Sequence, residues 1–394
     1  MGTASPIIGN LRIDKNNLEL FINALTGRAN TWAHIGRIEA AIADYEWAIA
    51  AARSSAIGLF RRADMVLNLA GLYGEGKSDF RSARRLIGRA LPMIDKKRAP
   101  ALNAHALQIL GNLNMKQGEA GQAMDFYRRS LALFRGSDDE VGRAGVLCNI
   151  GLICLRRCAF NEARRYFNEY LLISERIGDR LGAARALLNL GTAYSWTNEL
   201  VAAEKCYKRC LAISERIGNK MGIGIACGEL GLVAKNRGRP GQALRFYERY
   251  LAISGEIGFR MGIGIACNNI GDIHYARREW RKALLYYGRS QAIAEKIGDR
   301  EGIAICLGNT GKVRLEQKKH RAARVLCEKA LTIFMALDKK HEIADTLYHL
   351  GLILESMSQV RTARDYFTKC YKLAKEASLT DMFRLAQEKL SKYQ

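Results

Sequence analysis

The side chains best suited to recognition chemistry in this 394-residue chain are amides and cations set on a fixed 40-residue step. Asn149, Asn189, Asn269 and Asn309 share one phase of that step. A carboxamide offers two N–H donors and a carbonyl acceptor, the complement of an extended peptide backbone. The cations gather at another phase: Arg156 and Arg157; Lys235, Arg237 and Arg239; Arg277, Arg278, Arg281 and Lys282; Lys318, Lys319 and Arg321. A basic edge of this kind can follow a phosphate backbone or an acidic protein surface. It lacks the interleaved aromatic residues on which bases stack.

Chemistry of the bond-breaking kind has no pattern to rest on. The six histidines (His34, His105, His274, His320, His341, His349) form no H-E-x-x-H pair, and neither G-x-S-x-G nor a phosphate-binding loop occurs. Gly222-x-Gly224 and Gly262-x-Gly264 look loop-like, but they fall in phase with Gly182 and Gly302 and are read as part of the repeat. Ten cysteines include no C-x-x-C pair, and the i,i+4 pairs Cys154/Cys158 and Cys206/Cys210 read as apolar filler. Cys227 and Cys267 stand where sister steps carry Leu107, Leu147, Leu187, Leu307 and Leu347. The expectation is a chain without enzymatic activity, metal or cofactor, in a reducing, cytoplasmic compartment. No charged start followed by an apolar run marks a secretory signal, and no 18-residue apolar run marks a membrane span. The net charge of +23 attracts acidic partners without choosing among them.

What must position these residues is an array. Glycine recurs at 71, 111, 151, 191, 231, 271, 311 and 351, and alanine twelve residues later at 83, 123, 163, 203, 243, 283, 323 and 363. Around Gly191 the apolar residues Ala184, Leu187, Leu188, Leu190 and Tyr194 have helical spacing. A second helix from about Leu200 to Ile217 turns Ala203, Tyr207, Cys210, Leu211 and Ile213 inward, and Gly218 stops it. Glycine costs about 1 kcal/mol relative to alanine inside a helix. Its recurrence therefore requires a close helix crossing, with the alanine as small partner. Tyr127, Phe167, Tyr207, Tyr247, Tyr287 and Phe367 fill the remaining space, and Ile87 and Cys327 replace the ring in two steps.

Gly, a tyrosine a few residues on (Tyr73, Tyr194, Tyr275), Ala twelve on and Tyr or Phe sixteen on resembles the tetratricopeptide repeat, here in a 40-residue form like that of Pins-type scaffolds and bacterial helical-repeat regulators. The resemblance implies an all-α, right-handed superhelical α-solenoid of about nine helix-turn-helix units with a C-terminal capping helix. Its expected divisions are 1–15 as a mobile start or partial cap, 16–377 as the array and 378–394 as the cap. It further implies that residues two before each ladder glycine face a concave groove: Leu69, Ile109, Asn149, Asn189, Glu229, Asn269, Asn309 and His349. Arg185, Trp196, Lys235, Tyr275, Lys312 and Tyr348 are expected on the same face, among the acids Asp272 and Glu316. The function this implies is an adaptor that holds an extended, acidic segment of another protein, as a monomer or an end-to-end dimer. The alternatives are a nucleic-acid-associated or signalling regulator using the basic edge, and a structural subunit of a large assembly.

Overall fold

The computed structural model describes residues 15–53, 58–95 and 98–393. The start assigned to 1–15 lies outside them except for Lys15, where the first helix begins. Among the described residues there are nineteen α-helices and no strand. The chain divides into two compact units, Met1–Ala193 and Tyr194–Gln394.

The first unit holds α1 (Lys15–His34), α2 (Ile38–Arg53), α3 (Leu59–Gly71), α4 (Phe80–Ala90), α5 (Pro100–Lys116), α6 (Ala120–Arg135), α7 (Glu140–Arg156) and α8 (Phe160–Arg176), with most of α9 (Arg180–Trp196). Each odd-numbered helix packs on the even-numbered one after it, and each pair on the next. The second unit continues with α10 (Leu200–Arg216), α11 (Lys220–Asn236), α12 (Pro240–Glu256), α13 (Arg260–Ala276), α14 (Trp280–Ile297), α15 (Arg300–Glu316), α16 (His320–Ala336), α17 (Lys340–Ser356), α18 (Val360–Glu376) and α19 (Thr380–Ser391). Its pairs stack in the same way. The last helix, α19, buries Met382 and Ala386 and lays Phe383 against Tyr371 at 4.7 Å.

The ladder glycine is a seat for a ring. A Cβ at Gly111, Gly151, Gly231, Gly271 or Gly351 would lie 2.5 Å from the ring of Tyr127, Phe167, Tyr247, Tyr287 or Phe367. The crossing is close because the aromatic residue sixteen positions on occupies the glycine's missing side chain. The alanine expected as its partner is not the nearest group. At Gly311 the same place is held by the Cys327 Sγ, 2.6 Å from such a Cβ.

One member of the ladder does not serve. A Cβ at Gly71 would meet nothing within 4 Å. The helix gives way there to a π-helical segment, Leu72–Gly76, and Gly74 instead presses on Leu113 and Ala83. This pair carries Ile87 in place of a ring, and no side chain occupies the space at Gly71. The slip also buries Leu69 at 3% exposure, removing it from the set expected to face a groove.

The other glycines of the step belong to caps. The backbone N–H groups of Gly142, Gly182, Gly222 and Gly302 donate to the side chains of Asp139, Asp179, Asn219 and Asp299 at 2.8–3.1 Å. Gly222 is thus a helix start, as its phase predicts. In the turn within each pair, a residue takes left-handed backbone: Gly118 and Gly238 do so freely, whereas Arg278 (φ 60°) and Lys318 (φ 59°) do so with a side chain.

Candidate functional site

Ring chemistry in the core reaches the surface through hydroxyls. Tyr45 donates to Asn30 at 2.5 Å, Tyr127 to Asn112 at 2.7 Å and Tyr287 to Asp272 at 3.0 Å, each acceptor lying fifteen residues before its ring. Where the ring is Phe167 or Phe367, the residue fifteen before it is Leu152 or Leu352. Tyr247 breaks this rule: the residue fifteen before it is Leu232, and among the described residues its buried hydroxyl has no partner.

In the first unit, Asn149 donates its Nδ2 to the Asn112 Oδ1 at 3.1 Å, and Asn112 donates to Glu75 at 2.5 Å. Among the described residues, Asn189 has only a long side-chain contact, to the Cys148 Sγ at 3.9 Å. Arg185 is exposed and reaches the Tyr170 hydroxyl. A cavity of about 700 Å³ opens along the first helices of this unit, lined by polar groups that include Asn30, Asn68, His105, Gln108 and Asn112. His105 pairs with Asp139 at 2.9 Å on its rim.

In the second unit the polar residues form a network. Lys235 donates to Asp272 at 3.2 Å, and Asn309 donates to Asn268 at 3.0 Å. Lys312 donates to Asp345 at 2.8 Å. His349 donates from Nδ1 to the Asp345 carbonyl at 2.8 Å, which leaves its Nε2 as an acceptor when the ring is neutral. Burial and the nearby Lys312 charge push the His349 pKa down, so the neutral ring is favoured. Burial pushes the Asp345 carboxyl up, but the charges of His349, when protonated, and of Lys312 outweigh it and hold it below the ordinary range. These groups line a cavity of about 300 Å³ together with Asn309, His341 and Thr346. Burial raises the Glu229 carboxyl against the pull of the Tyr207 hydroxyl, which donates to it at 3.2 Å.

The structure thus brings together Lys235, Asn309 and Lys312, but Lys235 and Lys312 are already paired with carboxylates. Asn269 makes no side-chain hydrogen bond to a described residue and is half-buried. Trp196 is 57% exposed. Tyr275 turns its ring to Trp280 at 5.5 Å and Tyr348 packs on Phe367 at 5.6 Å, so both serve packing as well as surface. Asp345, Asn268 and His341 escaped the sequence expectation. Asp345 had a signal, since it occupies the position held by Ile225, Ile265 and Ile305 in the preceding repeats.

The basic edge is divided as well. Arg237 and Arg239 close on Glu204, whose carboxyl Lys208 also bonds and lowers. Arg156, Arg157, Arg277, Arg278, Arg281, Lys318, Lys319 and Arg321 are exposed. Cys158 is exposed in its turn while Cys154 is buried, so this i,i+4 pair does not face one site. Among the described residues no group of three or more His, Cys, Asp or Glu is placed to hold a metal ion, and no helix is long and apolar enough to cross a membrane.

Paired helices, stacked in series on a glycine-ring seat, define an α-solenoid built for interaction along its surface. The sequence profile of the tetratricopeptide repeat matches residues 142–216, 182–256, 263–334 and 313–376, more than half of the chain, and the protein belongs to that family. No curated protein sequence matches it. Among solved structures it is similar to the apo form of RapI, at 13% identity and TM-score 0.73, over 94% of this chain and 98% of that one. It is also similar to aspartyl phosphate phosphatase F from Bacillus subtilis, at 15% identity and TM-score 0.62, over 89% and 93%. A third is the Rap conjugation gene regulator of the plasmid pLS20 in complex with the Phr* peptide, at 14% identity and TM-score 0.53, over 92% and 97%. At these identities the likeness concerns the fold.

Proposed function

We propose that this chain is a non-enzymatic adaptor that holds an extended segment of another protein along the first helices of its repeats, within an array spanning 16–377 and capped by 378–394. The observation that carries the proposal is the unequal state of the four asparagines. Asn149 and Asn309 are used between repeats, whereas Asn189 and Asn269 keep nearly all their hydrogen-bonding capacity on a half-buried face. A half-buried amide without a firm partner gains most from a ligand backbone. The complex of a fold neighbour with the Phr* peptide supports the same reading. Net hydrogen bonds contribute about 0.5–1.5 kcal/mol each, so two amides orient a segment and side-chain contacts must supply most of the affinity. Preference for an acidic segment rests on the overall charge of +23, since Lys235 and Lys312 are neutralised locally.

The test uses segments selected from a displayed library of random 15-residue peptides. Combined Asn189→Ala and Asn269→Ala should weaken them at least tenfold with helix content and melting unchanged. Equal affinity for the variant and the parent would refute the assignment.

A further inference from the structure

The repeat step exposes a missing side chain. In the pair α11/α12, the Tyr250 ring is buried beneath two glycines: a Cβ at Gly228 would lie 3.2 Å from it and one at Gly224 3.4 Å. Forty residues on, Tyr250 becomes Ser290, Gly224 remains Gly264 and Gly228 becomes Asn268. The small Asn268 does not refill the space. Ser290 turns its hydroxyl to the Gly264 carbonyl at 2.8 Å, so its polar atom is satisfied inside the protein. What remains is a cavity of about 370 Å³ between α13 and α15, floored by α14. In the last pair the bulk returns from the other side, with Tyr348 facing Cys370. The gap is therefore confined to the layers between these two rings.

The walls of this cavity are aliphatic: Met261, Ile265, Ile293, Ala294, Ile297 and Ile305. Met261 and Ile265 are 51% and 46% exposed at its lip. Asn268 stands at the mouth, its Oδ1 held by Asn309 from the neighbouring repeat. The cavity lies within the ~300–1,000 Å³ range of sites that enclose a ligand, and it joins apolar walls to a single convergent amide.

Resting on the adaptor reading above, we infer that this cleft is an anchor pocket for one aromatic side chain of the bound segment. The incoming ring takes the place that Tyr250 fills from within in the preceding repeat. Asp299 and Glu301 lie on the rim, with Glu301 paired to Lys339 at 2.6 Å. The residues flanking the ring are accordingly uncharged or basic, and the acidic residues of a segment lie elsewhere.

Two arms test the pocket and the adaptor reading separately. The first uses p-cresol, the tyrosine side chain alone, titrated into protein labelled at isoleucine methyl groups. Saturable shifts are expected at Ile265, Ile293, Ile297 and Ile305, and should vanish when Ser290→Tyr and Asn268→Gly together transplant the preceding repeat's filling. Unmoved methyl groups would overturn the inference. The second arm uses the library-selected peptides. They should share an aromatic position, and Ile265→Asp, at an exposed lip where folding is undisturbed, should weaken them at least tenfold. Peptides that depend on Asn189 and Asn269 but carry no aromatic preference would overturn the pocket and leave the adaptor standing. If the selection yields no peptide, both fall.

Discussion

Tyr247 and Tyr287 occupy the same position in successive repeats and differ in what meets their hydroxyls, so removing one oxygen from each should have opposite effects. Both side chains are essentially inaccessible, at 0% and 1% exposure. The Tyr287 hydroxyl donates to the Asp272 carboxylate at 3.0 Å. Hydrogen bonds to charged groups contribute about 1.5–3 kcal/mol. Lys235 still holds the other Asp272 oxygen, so the carboxylate is not stranded and the lower half of that range is expected. The Tyr247 hydroxyl has no partner among the described residues, and the residue fifteen before it is Leu232. A buried unpaired polar group costs about 1–3 kcal/mol, which Tyr247→Phe removes at almost constant shape. Tyr287→Phe should therefore lower stability and Tyr247→Phe raise it, a separation of at least about 2 kcal/mol. Urea unfolding followed by circular dichroism measures both, with unchanged slope as the control that only stability has moved. Equal shifts of the same sign would refute the reasoning, because they would mean that the two hydroxyls share one environment.

Three further outcomes follow from the geometry. Arg278→Gly should raise the melting temperature, since left-handed backbone costs a non-glycine residue about 1–2 kcal/mol, and the same change at an exposed helical arginine such as Arg281 should lower it. His349 binds its proton less readily folded than unfolded, so its contribution is complete above the ordinary histidine value of about 6.5 and is lost as pH falls from there toward its depressed folded value. His349→Gln should remove that step from a plot of unfolding free energy against pH. In native protein a thiol reagent should find Cys158 fast and Cys206 more slowly, while Cys210, Cys306 and Cys370, pushed to about 11 by burial, stay unmodified. Cys158→Ser should abolish the fast phase.

Most of the architecture was legible because the step never slips in sequence: glycine, alanine and ring recur without insertion from Gly111 onward, and the structure follows them. The exception is instructive. Gly71 keeps the period but not the role, because the helix slips into a π-helical segment just after it and Gly74 takes the close contact instead. The site was legible by type and position but not by state. Asn149 and Asn189 look alike in the chain, yet one reaches a neighbouring amide at 3.1 Å and the other does not. Whether a lysine is available likewise depends on a carboxylate 33 or 37 residues away, as with Lys312 and Asp345 or Lys235 and Asp272. Such pairings are set by how far one helix stands from the next. The pocket beside Ser290 was also in the sequence, as the one layer where tyrosine became serine while its opposing glycine gained only an asparagine.

The hydroxyl that joins Tyr45, Tyr127 and Tyr287 to the residue fifteen positions before the ring makes inside and outside a single inherited character. A repeat cannot exchange phenylalanine for tyrosine without either recruiting a polar residue such as Asn112 or Asp272 at its surface or carrying a stranded oxygen, as Tyr247 does. Divergence of the recognition surface is thereby coupled to divergence of the interior. Grafting a new surface onto this scaffold means exchanging whole ring-and-partner couples rather than single exposed residues.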